Sequence, residues 1–133
     1  MQSAGQLPAP RQFLIKGLSI YVETTAVATA QVDALIIMNG VYILTISDKE
    51  YLRVLGWMAP GGGGLELYGA VTTLGGGRNG QALTYNYFHV APSILIPQQQ
   101  NFKVVGSAFG LVALTTVAWV TCVLWGTEER AVQ

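Results

Sequence analysis

The sequence predicts an all-β fold, an antiparallel sandwich or barrel of about eight short strands, and three observations carry that prediction. Apolar runs of strand length recur along the chain, separated by clusters of Gly, Pro and Asn. The runs are rich in Val, Ile, Thr and aromatic residues, which suit a pleated surface and lose side-chain freedom in a helix. The 16 glycines oppose helix, because ordering each one costs backbone entropy. No amphipathic helical period and no repeat of fixed length are visible, so helix is expected only in short turns.

Residues 1–12 are small and polar and include Pro8 and Pro10. They read as an extended N-terminal arm that reaches other subunits, and residues 13–133 read as one β-sandwich domain. Residues 13–22 form the first expected strand. Residues 32–38 and 41–46 follow as two strands, with Asn39-Gly40 between them as a two-residue hairpin turn. Asp48-Lys49-Glu50 interrupts the apolar pattern, which resumes over 51–57. Glycine-rich stretches at 61–64 and 75–80 read as loop tips flanking a strand within 65–74. Arg78 sits at the second tip, where it is solvated or meets a neighbour.

Residues 83–90 are expected as a strand with Tyr85, Tyr87 and His89 on one face. Pro92 and Pro97 bracket 93–96, and 101–105 forms a further strand. Gly106, Ser107 and Gly110 read as a turn. The last strand, 117–125, is apolar on both alternating faces, which predicts a central strand buried on both sides.

Composition narrows the function. Hydrophobic residues make up 51% and charged residues 11%, against roughly 25% charged in an average domain. A chain this short cannot enclose so much apolar side chain, so neighbouring subunits should cover some of it. Seven basic residues balance seven acidic ones, which leaves no electrostatic footprint for nucleic acid. An obligate homo-oligomer with no active site is expected. Its candidate contact residues are Trp57, Trp119, Trp125, Tyr85 and Tyr87 as aromatic anchors, with Arg78 and the arm residues Pro8 and Pro10.

Signals for catalysis are weak. Gly75-x-Gly77-x-x-Gly80 matches the dinucleotide fingerprint in form, but the residues after it read as strand, not as the helix that would hold a pyrophosphate. His89 is the single histidine, without a triad signature beside it. Asp48 and Glu50 lack the spacing of a calcium loop. Cys122, the one cysteine, lies in an apolar run and reads as an inert buried residue. No secretory signal is visible at the N-terminus. No catalytic residue, cofactor or metal is expected. Residues 104–127 carry no charge and are long enough to span a bilayer as a helix. Thr115, Thr116, Thr121 and the valines there favour strand instead, and membrane contact is not expected.

Two segments carry a family resemblance. Residues 93–105 read as a strand, a Pro97-Gln98-Gln99-Gln100 turn, and a strand opening on Phe102. Residues 117–133 read as a long final strand ending in Gly126-x-x-x-Arg130-x-Val132-Gln133. Together they resemble the last strands of small jelly-roll structural proteins of bacteriophage virions, both capsid and capsid-decorating or cement proteins. The resemblance implies a single jelly-roll, residence in the virion capsid, a homotrimer and other capsid proteins as partners. It implies no catalytic residue. Two other classes stay open. One is a ligand- or carbohydrate-binding β-sandwich with Tyr85, Tyr87 and Trp57 as its platform. The other is a small membrane protein with a span at 104–127.

Overall fold

A 14-residue strand organises the larger of two antiparallel sheets in the computed structural model, which describes residues 5–25, 30–62, 64–68, 76–79, 87–107, 113–115 and 117–130. In chain order the elements are β1 (Arg11–Thr24), α1 (Ala30–Met38), β2 (Val41–Ile46), β3 (Lys49–Leu55), a 3-10 turn (Gly56–Met58), β4 (Leu65–Tyr68), β5 (Gly76–Asn79), β6 (Phe88–Ile96), β7 (Phe102–Ser107) and β8 (Ala118–Arg130). One edge of β1 is taken by β8, from Arg11 opposite Arg130 to Thr24 opposite Ala118. The other edge is shared. β6 pairs with Phe13 to Leu18, the Ala59–Gly61 segment bonds to Ile20, and β5 meets Glu23. β4 completes this sheet as the hairpin partner of β5. The smaller sheet has the order β3-β2-β7.

The sheets pack face to face over two apolar clusters, as a sandwich. The first joins Leu18, Ile20 and Val22 of β1 to Ala34, Ile37 and Met38 of α1, with Tyr42 and Val54. The second joins Ile15 to Leu44 and Ile46 of β2 and to Val90 and Ile96 of β6. Strand alternation alone would not send both Ile15 and Leu18 inward, because side chains alternate with period two. A bulge at the exposed Lys16 resolves the conflict, shifting register between Ile15 and Gly17 on both edges of β1. Gly126 faces this bulge, and a Cβ there would run into the Leu14 carbonyl and the Phe13 ring.

Residues 32–38 are not a strand. They belong to the helix α1, whose buried residues are Ala30, Gln31, Asp33, Ala34, Ile37 and Met38. The sequence hides the helix because its buried face mixes apolar and polar residues. Asp33 and Gln31 face inward, while Val32 is 45% exposed, so the apolar and polar residues do not segregate to opposite faces. The Asp33 carboxylate accepts hydrogen bonds from the Thr115 backbone N–H and hydroxyl, both at 3.0 Å, which satisfies a buried charge.

Asn39-Gly40 closes the helix rather than a hairpin. Their N–H groups donate to the carbonyls of Leu35 and Ile37 at 2.9 and 3.0 Å. The two-residue hairpin turn lies one strand later, at Ser47-Asp48, with φ of 47° and 63°. It joins β2 to β3 and starts β3 within the charged stretch that was read as an interruption.

Three further expectations are revised. Arg78 is not at a loop tip but within β5, opposite Glu23 of β1 and Glu66 of β4 in register. Gly106 and Ser107 lie inside β7 rather than in a turn, and Gly110 falls outside the described residues. β1 begins two residues inside the expected arm, at Arg11. The described part of the arm folds against its own chain. Gly5 accepts a backbone hydrogen bond from Phe102, Leu7 accepts one from Gln99, and the Leu7 side chain packs on the second apolar cluster.

Candidate functional site

The feature that most separates this sandwich from a closed domain is its last strand. Sequence alternation predicted a central strand buried on both faces over 117–125. Among the described residues β8 instead pairs with β1 alone, leaving its second edge open along 13 residues. Among the described residues β7 is likewise an outer strand, with β2 as its one strand neighbour. A long unpaired edge offers a row of free N–H and C=O groups to any strand that approaches.

Register assigns the faces of β8. Leu124, Cys122 and Val120 lie opposite Leu18, Ile20 and Val22 and so point toward the inner side. The three-stranded sheet does not cover them fully, and a cleft of about 350 Å³ remains between β8, β7 and the end of α1. Ile37, Tyr42, Val104, Leu114, Val120 and Cys122 line it. Its rim is apolar and exposed, with Val120 at 44% and Leu114 at 43%. Burial pushes the Cys122 thiol up to about 11. It also pushes the Tyr42 phenol up to about 12, with the Cys122 charge adding to the effect. Both groups are therefore neutral at physiological pH. Tyr42 donates its hydroxyl proton to the Ile37 carbonyl at 3.2 Å.

On the outer side of the same sheet the aromatic candidates fall into place. Trp125 lies opposite Gly17 and donates its indole N–H to the buried Ser19 hydroxyl at 2.7 Å. Tyr87 stacks on Trp125 with ring centroids 5.9 Å apart and contacts His89 at 4.3 Å. Gly17 makes room for the Tyr87 ring, which a Cβ at that position would overlap. His89 is thus an exposed member of an aromatic group. Trp119 is exposed on the outer face, opposite Glu23.

Trp57 stands apart on the 3-10 turn, donating to Asn39 Oδ1 at 2.7 Å. No ring contact joins it to Tyr87 among the described residues, so the expected platform of Tyr85, Tyr87 and Trp57 is not brought together there. Tyr85 itself lies outside the described residues. Pro8 is half-buried and its carbonyl accepts from Arg11, while Pro10 is exposed beside Gln98 and Glu129.

The remaining chemical candidates are dispersed. Arg53 forms two 2.8 Å hydrogen bonds to the Glu50 carboxylate and holds its pKa below the ordinary value. Asp48 occupies the hairpin turn. Among the described residues no three His, Cys, Asp or Glu side chains are grouped as metal ligands. Residues 102–107 and 118–130 are strands, and among the described residues no helix is long and apolar enough to cross a membrane.

The cleft went unread in the sequence, although its signal was present. The uncharged stretch 104–127 supplies Val104, Leu114, Val120 and Cys122, but its last part, 117–125, reads as a strand buried on both faces rather than as a half-covered edge. Comparison with family models, curated proteins and solved structures finds no match to the chain.

Proposed function

We propose that the chain is a structural virion protein of a bacteriophage, a capsid-decorating or cement subunit or a shell subunit, that works by adhesion between subunits. The observation that carries this reading is the open β8 edge beside an apolar cleft. An edge of that length in a water-soluble monomer is ordinarily shortened, charged or covered. From 118 to 127 it carries no charge. Coverage by a second subunit pairs the edge and fills the cleft at once, as large apolar interfaces between permanent partners do. The zero net charge leaves copies free to approach without mutual repulsion.

The jelly-roll reading draws on the nesting of strand pairs. β1 pairs with β8, β2 with β7 and β4 with β5, the order produced when a long antiparallel hairpin rolls up. β3 and β6 depart from that order, since β3 pairs with β2 and β6 with β1. A homotrimer in the virion, with other capsid proteins as neighbours and no catalytic step, follows from the resemblance of residues 93–133.

Native mass spectrometry of the purified chain at micromolar concentration tests the reading. The expected species is a closed oligomer, a trimer in the favoured form, that dissociates only as the fold is lost. A monodisperse monomer without detergent overturns it.

A further inference from the structure

We propose that the outer face of the larger sheet carries a binding site for a neutral pyranose sugar, formed by Trp119, Tyr21, Glu23 and Thr121. This goes beyond the subunit reading and gives Trp119 a ligand in place of a neighbouring subunit. A groove of about 280 Å³ lies on this face, lined by Tyr21, Val22, Glu23, Asn79, Trp119 and Thr121. That volume is close to the lower end, roughly 300 Å³, of small-molecule clefts.

Register explains why these side chains converge. Thr121 stands directly opposite Tyr21, and Trp119 directly opposite Glu23. Directly opposed residues share one sheet face. The two aromatics are thus diagonal neighbours, with the carboxylate and the hydroxyl at the other two corners.

The chemistry of the four groups is complementary to a sugar ring. The Trp119 indole is 55% exposed and offers a flat face to the C–H side of a pyranose, as rigid amphipathic aromatics do at wet sites. The Glu23 side chain is exposed, and among the described residues no hydrogen bond or ion pair engages its carboxylate. An ionised carboxylate accepts two hydrogen bonds, which suits adjacent sugar hydroxyls. Thr121 adds a hydroxyl that both donates and accepts.

The framework is held in place before any ligand arrives. Tyr21 lies against Gly61, where a Cβ would stand 2.6 Å from its ring. Gly61 is fixed by a 2.7 Å bond from its N–H to the Ile20 carbonyl. The Asn79 side chain accepts from the Val22 N–H and donates to the Gly61 carbonyl. Asn79 therefore serves as wall and brace, and binding energy is not spent on ordering the groove.

The test is an NMR titration of the full chain with glucose, galactose, mannose and N-acetylglucosamine in turn, following the three indole N–H signals. At least one sugar should saturate in the millimolar range and shift the Trp119 signal. Glu23→Gln should weaken binding by about tenfold or more, and Trp119→Ala should remove it. Circular dichroism of each variant checks the fold, and Trp119→Phe, with a smaller stacking face and an intermediate affinity, replaces Trp119→Ala if that variant does not fold. Absence of saturable binding by all four sugars up to about 50 mM overturns the proposal. So does binding that survives both substitutions, or a shift confined to Trp57 or Trp125. Native mass measured on the same samples reports the oligomer separately, so failure of the sugar site and failure of the subunit reading are distinguishable.

Discussion

Cys122 and Tyr42 make the cleft wall a sensor of alkaline pH. In the unfolded chain the two groups ionise near their ordinary values of 9.0 and 10.0, but in the fold burial raises them to about 11 and about 12. As pH rises, the unfolded state loses these protons first, so it binds fewer protons than the native state and gains stability relative to it. Stability from this source is complete below about pH 9 and declines between about pH 9 and 12. Thermal denaturation as a function of pH should show that decline, and Cys122→Ala should reduce it. The same thiol should react only slowly with alkylating reagents at neutral pH, since the thiolate is the reactive form.

Gly126 answers a different constraint. Its Cα passes the bulge at Lys16 so closely that a methyl group has no place beside the Leu14 carbonyl. Backbone cannot move aside as a flexible side chain can, so Gly126→Ala should cost roughly 1–3 kcal/mol, read as a lower urea midpoint. None of this was legible beforehand. A glycine near the end of an apolar strand reads as a terminator, and nothing local marks it as the partner of a bulge more than a hundred positions away. Asp33 was equally opaque, since its partner Thr115 is remote in sequence.

At the scale of elements, the strands with one buried face were the readable ones. β2 was placed at its observed bounds, because Tyr42, Leu44 and Ile46 are buried in strict alternation. The first strand is also legible, short by two residues at each end. The helix α1 was missed because Asp33 and Gln31 face inward and Val32 outward, which removes the period that sequence reading depends on. β8 was found as a strand and misplaced within the sheet. Apolar residues on both faces mark a strand covered on both sides, and the sequence does not say whether the cover is the same chain or another.

That distinction alters what substitution there should do. Val120→Asp places a charge at a position that is 44% exposed in the single chain. The subunit should therefore stay folded and lose assembly, seen as a native circular dichroism spectrum with a monomer mass. Loss of the fold would mean that the position is internal. The arm makes the opposite point. Leu7 packs on the second apolar cluster and the arm backbone bonds to the Gln99–Phe102 turn. Deletion of residues 2–10 should thus lower stability by about 1–3 kcal/mol in addition to any effect on assembly.

For the whole molecule, the fold is a sandwich whose two sheets differ in size, five strands against three among the described residues. The mismatch leaves β8 overhanging the smaller sheet, so the cleft is a product of topology. The all-β class was legible because it depends on composition and on recurring runs. Strand order was not, because pairing is decided between segments that share no local pattern.

The register of β1 with β8 also fixes when the molecule can come into being. Arg11 sits opposite Arg130, so the organising strand has no permanent neighbour on that edge until β8 has left the ribosome. Contacts of such long sequence separation place the chain among slow folders, on the millisecond-to-second scale. Until β8 arrives, that edge of nascent β1 has no strand beside it, and crowded synthesis exposes it to the β1 strands of other unfinished copies. Yield should then depend on growth temperature and chaperone supply more steeply than the stability of the finished protein would indicate.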